Sequence, residues 1–244
     1  LEALEMAVQA YGNIRAVVVV PNLQNPLGSI MPDAAKRRMA AFCDANRIAL
    51  IEDDTYSALG DSPTPLRALK AWDRTGSVIY CASLSKVLAP GLRLGWMAAG
   101  RWQGRVQMLK FAQSRPNDSW SQVLAGRFIA SGAYDRHLRT LRQTLREQRE
   151  RMAESIAGCF PAGTRLSVPS GGLAMWVELP ANVSSMELFD AALAQGIRIA
   201  PGTMFSNLNR FDHFFRICFG LAPSANLEAA LATLGQITQE LAER

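Results

Sequence analysis

Three short apolar runs set apart by helix-forming segments constrain this chain more than any other feature. Ala16-Val17-Val18-Val19-Val20 is β-branched after its first residue, Ile48-Ala49-Leu50-Ile51 follows a helical segment, and Ser77-Val78-Ile79-Tyr80-Cys81-Ala82 follows a loop. Apolar runs without polar alternation are expected where a sheet is covered on both faces, as in parallel sheets with helical crossovers. The intervening segments fit that scheme. Apolar residues at 1, 4 and 8 make a helix that Gly12-Asn13 ends. Pro32-Asp33 opens another to about Asn46, with Met39, Phe42 and Cys43 on one face and Lys36, Arg37 and Arg38 on the solvent side. The expected fold is α/β with a mostly parallel central sheet.

Beyond Ala82 the elements change character. Leu92 to Ala99 reads as one more strand, and residues 102–113 and 118–131 as helices. Tyr134 to Phe160 is a long two-faced helix, apolar at 138, 141, 145, 152 and 156, with arginines at 139, 142, 146 and 149. Those arginines are expected to be solvated or paired with a neighbouring subunit. From Ala162 short strands (165–168, 173–179, 197–200, 213–219) mix with helices near 184–195 and 224–243, a βαβ-like pattern expected of a small α+β domain. The expected division is a partial large domain over residues 1–133, then a linking helix and small domain over 134–244.

Composition narrows the setting. The chain has 244 residues and a formal charge of +5. Its basic residues are spread over several helices and form no single tail of the kind that contacts nucleic acid. No run of about 18 apolar residues is present, so no membrane role is expected. Cys43, Cys81, Cys159 and Cys218 form no C-x-x-C pair and are expected as buried free thiols in a reducing cytoplasm. The chain opens at Leu1 with neither a methionine nor a basic-plus-apolar leader, and is expected to be a fragment of a longer protein.

Chemistry is expected in the loops that leave the carboxyl ends of the strands. Ser83-Leu84-Ser85-Lys86 runs into the Pro90-Gly91 turn and on to Arg93. Two hydroxyls, a bent backbone and a guanidinium fork make a phosphate clamp with a lysine amine beside it. Alone, such a stretch also reads as a surface lysine in a Pro-Gly turn. The second strand runs into Glu52-Asp53-Asp54-Thr55-Tyr56, where a carboxylate at the end of an apolar strand needs a cationic partner. Asn25-Pro26-Leu27-Gly28 is an Asn-Pro turn just after the first strand, and Arg216 lies in the aromatic strand Phe214–Phe219 and needs an anion. His137 and His213 match no metal spacing and no catalytic triad.

Taken together, PNLQNPLG, EDDTY, SLSKVLAPGLRLGW and FFRICF resemble the motifs of fold-type-I pyridoxal-phosphate enzymes, the aspartate aminotransferase superfamily. The fuller stretches PNLQNPLGSIMP, IEDDTYSAL and SLSKVLAPGLRLGW look most like the aminotransferase-like domain of MocR-type regulators in the GntR family. The resemblance implies pyridoxal 5′-phosphate as cofactor, an aldimine on Lys86, and the cofactor phosphate on Ser83, Ser85 and Arg93. It implies Asp53 on the ring nitrogen, Asn25 and Tyr56 on the phenolic oxygen, and Arg216 on a substrate α-carboxylate, for which a structural salt bridge is the alternative. Asp54, one residue off, receives no role. The resemblance also implies a homodimer, an amino-acid-like ligand, and DNA contact only through a winged helix-turn-helix domain that this chain lacks, along with the first part of the cofactor domain. The alternative is a stand-alone aminotransferase acting on an amino acid and a 2-oxo acid.

Overall fold

The computed structural model describes residues 1–208 and 210–244. The chain divides into two compact units, Leu1–Gln24 with Ser29–Leu141, and Asn25–Gly28 with Arg142–Arg244.

In the first unit, α1 (Glu2–Tyr11) stops where Gly12 turns left-handed at φ 63° and returns its N–H to Val8. Strands β1 (Ala16–Val19), β2 (Ala49–Asp53) and β3 (Val78–Ser83) pair in parallel, and β4 (Gly95–Ala98) joins β3 antiparallel, giving the order β1-β2-β3-β4. Helix α2 (Asp33–Ala45) forms the first crossover. Register sets the two faces of the sheet. Val17 and Val19 of β1 stand beside Leu50 and Glu52 of β2, which stand beside Val78 and Tyr80 of β3. Met39, Ala40 and Cys43 of α2 join Leu50 and Val78 in one buried cluster, with Leu4 and Val8 of α1 against it. The alternate positions point the other way, where Val18 is 66% exposed. After β4 come α3 (Gln103–Ser114) and α4 (Ser119–Ala130), the latter begun by Asp118 accepting from the Ser121 N–H. Helix α5 (Ala133–Cys159) then runs through the division between the units.

The second unit holds β5 (Arg165–Ser167), β6 (Ala174–Glu178), α6 (Ser185–Ala194), β7 (Ala200–Pro201), β8 (Phe214–Cys218) and α7 (Ala225–Ala242). Its sheet order is β5-β6-β8-β7 and every hydrogen-bonded pair is antiparallel; β6 and β7 therefore run parallel on either side of β8 with α6 between them, a split form of the expected βαβ-like pattern. Apolar spacing sets the type of an element but says nothing of the direction in which it pairs. Trp176 is packed edge-on by Phe205 and Phe211 and stacked by Phe214, and Phe215 stacks on Phe160.

Three further expectations change. Lys36 does not lie on the solvent side; it is 1% exposed. Arg149 is buried, unlike a solvated stripe residue. All four cysteines are free, yet only Cys43 is buried, and Cys159 and Cys218 at the ends of α5 and β8 are exposed. Among the described residues no helix is long and apolar enough to cross a membrane.

Candidate functional site

The end of β2 sorts three consecutive acids by the alternation of the strand. Glu52 is fully buried on the α2 side, and its two oxygens accept the backbone N–H groups of Leu69 and Lys70. Burial pushes its pKa up to about 7, against the pull of those two N–H groups. Asp54, 5% exposed, points the same way. Its Oδ1 accepts from Asn22 Nδ2 at 2.9 Å, and its Oδ2 from Ser57 Oγ at 2.7 Å and the Tyr80 hydroxyl at 3.0 Å. Burial and the Asp54 charge raise the pKa of that phenol.

The buried cation that accompanies these carboxylates is Lys36. Its Nζ donates to Asn22 Oδ1 and to the Arg67 carbonyl, both at 2.7 Å. Burial lowers its pKa, while Asp33, Glu52 and Asp54 oppose that shift. Asn22, itself fully buried, thus links an ammonium to a carboxylate with one amide.

Asp53 is treated differently. It is half-buried on the opposite face, beside Cys81 of β3. Its Oδ1 accepts from the Thr55 N–H and hydroxyl, whereas its Oδ2 has no hydrogen-bond partner among the described residues. Tyr56, also half-buried, follows at the start of the 3-10 turn Ser57–Leu59.

The lysine loop leaves β3 and returns as β4, with Ser83 opposite Gly95 and Leu84 N–H on Leu94 O at 2.9 Å. That register returns Leu94, the residue after Arg93, to the backbone of Leu84 between the two serines. A Cβ at position 95 would run into the Ala82 carbonyl, so the close return requires glycine. Ser83 Oγ accepts from Ser85 N at 3.1 Å, tightening the turn before the lysine. Leu84 and Val87 are buried while Lys86 between them is exposed. Arg93 adopts a left-handed backbone at φ 50°, its carbonyl accepts from Asn117 Nδ2 at 2.9 Å, and its exposed guanidinium makes no ion pair among the described residues.

Asn25 and Arg216 belong to the second unit, and the structure brings these two together. Arg216, on β8 opposite Trp176 and Ala200, donates from Nη1 to Asn25 Oδ1 at 3.0 Å. The Phe205 ring lies 5.3 Å from its guanidinium carbon, and its Nε is buried without a hydrogen-bond partner among the described residues. No ion pair of Arg216 occurs among the described residues. The Asn25–Pro26 peptide is cis. The other six candidates, Lys86, Asp53, Tyr56, Ser83, Ser85 and Arg93, lie in the first unit.

Sequence reasoning missed Asn22, Lys36 and Tyr80. A signal for Lys36 was present, since it precedes Met39, Ala40 and Cys43 at the three, four and seven-residue spacing of one helix face.

Known proteins share this architecture. The model of the family "Aminotransferase class I and II" matches residues 1–234. The chain is 35% identical, over 97% of its length, to the uncharacterized HTH-type transcriptional regulator YjiR of Escherichia coli K12, covering 50% of that protein. It is 27% identical over 93% of its length to aromatic-amino-acid aminotransferase 1 of Thermococcus litoralis, covering 55% of it. The crystal structure of the multiple substrate aminotransferase of Thermococcus profundus matches all of the chain with a TM-score of 0.89 at 26% identity, the chain covering 61% of that protein. The chain spans about half the length of the curated relatives it matches.

Proposed function

Since this chain belongs to the aminotransferase class I and II family, we propose that it is the ligand-sensing, dimer-forming part of a MocR-type regulator of the GntR family. In this reading it holds pyridoxal 5′-phosphate through Lys86, responds to the cofactor or to an amino-acid-like molecule, and acts in the cytoplasm. DNA contact belongs to a winged helix-turn-helix outside these residues, a reading that the likeness to an HTH-type regulator supports.

The observation that carries the cofactor reading is the sorting of the acids on β2. Glu52 and Asp54 are satisfied by the protein, and of the three acids Asp53 keeps a carboxylate oxygen without a partner among the described residues, next to the strand that leads into Lys86. The donor set fits the phosphate as well, since the Arg93 guanidinium is not engaged by any acid among the described residues. Bound there, pyridoxal phosphate supplies an aldehyde for amines and a pyridinium ring that draws electrons from the adjoining carbon.

Each residue then has a task. Asp53 Oδ2 would accept from the ring nitrogen and favour its protonated form. By the family resemblance Ser83, Ser85 and Arg93 would hold the phosphate, and Asn25 and Tyr56 would each serve the phenolic oxygen. Lys86 Nζ would anchor the cofactor and, when free, would be the base that takes the Cα proton of a ligand and returns it. Arg216 grips the ligand's carboxylate with its fork.

The second reading, a stand-alone aminotransferase, is supported by the likeness to the Thermococcus enzyme. In both readings Lys86→Ala in the complete protein should abolish the visible absorbance that appears on adding the cofactor, and an unchanged spectrum removes Lys86 from the site. DNA binding that responds to cofactor and amino acid, without turnover of amino and 2-oxo acids, is the outcome expected of the regulator. Steady turnover with DNA binding indifferent to both ligands decides for the enzyme.

A further inference from the structure

We propose that His137 is a positioning residue for Lys86, an inference that rests on the assignment of Lys86 above. His137 Nε2 lies 2.9 Å from the carbonyl oxygen of Val87, the residue directly after the lysine. A carbonyl can only accept, so Nε2 carries the proton and donates. Inside the loop the Leu84 carbonyl gathers the N–H groups of Val87, Leu88 and Ala89 at 3.3, 2.9 and 3.2 Å. The Val87 carbonyl is turned away from that set and is met by α5.

The surroundings fix the imidazole as well as the loop. The ring packs edge-on against Phe128 of α4 at 6.5 Å between centroids, and the next residue of α5, Leu138, is buried. Leu84 and Val87, on either side of the exposed lysine, are 3% and 2% exposed. Apolar anchors hold these neighbours by their side chains, and His137 holds the backbone immediately after Lys86. An amine that must form a bond and later meet a proton needs a fixed root, because small misplacements of a reacting group are costly in rate.

The test uses the complete protein, free of cofactor, with His137→Leu and His137→Gln. Leucine fills the space and has no donor; glutamine places an amide Nε2–H at nearly the same reach and restores one. Three measurements are made: the rate at which the visible band grows on adding pyridoxal phosphate, the pH at which that band shifts, and the melting temperature without cofactor. His137→Leu should capture the cofactor about fivefold more slowly, the worth of one hydrogen bond, and shift the pH profile. His137→Gln should return both toward wild type, with the two variants melting alike.

Wild-type capture and pH profile in His137→Leu overturn the proposal. So does a His137→Gln protein as slow as His137→Leu, or a loss of capture that follows the melting temperature through both variants. If the wild-type protein forms no band, the assignment of Lys86 fails and this inference with it. A normal wild-type band with an indifferent His137→Leu removes the inference alone.

Discussion

Asp53 and Asp54 are the same side chain in opposite neighbourhoods, and asparagine at each position separates them. Asp53→Asn removes the proposed counter-ion of the cofactor ring and breaks little else, so it should melt near wild type while binding the cofactor more weakly in titration. Asp54→Asn leaves the donors of Ser57 and Tyr80 facing an amide and should destabilise by about 1 to 3 kcal/mol. Identical melting temperatures for the two variants would contradict this sorting. Lys36→Met strands Asn22 and Asp54 without their buried cation and should lose about 3 kcal/mol in chemical denaturation; an unaltered midpoint would remove the ammonium from the account. Arg216→Lys should weaken an amino-acid-like ligand by roughly 2 kcal/mol or more, since an ammonium lacks the fork, while sparing cofactor capture. A drop in melting temperature with unchanged ligand affinity would take Arg216 out of ligand binding. Of these residues the sequence exposed Asp53 and Arg216 through their apolar surroundings. It hid Lys36, because three adjacent basic residues look like a solvated face until the helix phase is followed through position 36.

At the scale of elements, β2 carries a pH dependence as well as the acids. The folded pKa of Glu52, about 7, lies above its ordinary 4.5, so the folded state binds the proton more tightly than the unfolded state does. The contribution of Glu52 to stability is therefore greatest below pH 4.5, falls as pH rises to about 7, and is level above that. Glu52→Gln removes this dependence, so its melting temperature relative to wild type should rise across that window; parallel curves would show that Glu52 does not titrate there. Helices and strands were legible to within a residue or two in most cases, because caps, glycines and apolar periods are local. The antiparallel order of the second sheet was not legible, since pairing is decided between segments far apart in the chain. Exposure at Cys159 and Cys218 escaped for a related reason, as each sits at the last residue of its element, where the apolar pattern no longer reports burial.

For the whole molecule, the exposed apolar residues of the first unit carry the next expectation. Phe111 on α3 and Trp120, Val123 and Leu124 on α4 are all more than half exposed, Trp120 at 78%. Large apolar side chains grouped on exposed helices mark surfaces that associate, in keeping with the proposed homodimer. Sedimentation should show concentration-dependent association of the chain, and Trp120→Glu with Leu124→Glu should shift it toward monomer; a monomer at every concentration would contradict this. The division into units has a different consequence, for anyone who wishes to dissect the protein. One boundary falls between Leu141 and Arg142, inside the unbroken turns of α5, where limited proteolysis finds no loop to cut. The other unit boundaries flank Asn25–Gly28, four residues that sit in the middle of the first unit's sequence yet belong to the second. Expression of residues 142–244 alone would omit Asn25, the amide to which Arg216 donates, and Gly28, whose Cα hydrogens face the Pro169 ring. The second unit cannot be cloned as a single uninterrupted stretch with its arginine still partnered. A circularly permuted or loop-grafted gene that restores the four residues is the shortest route to studying it by itself.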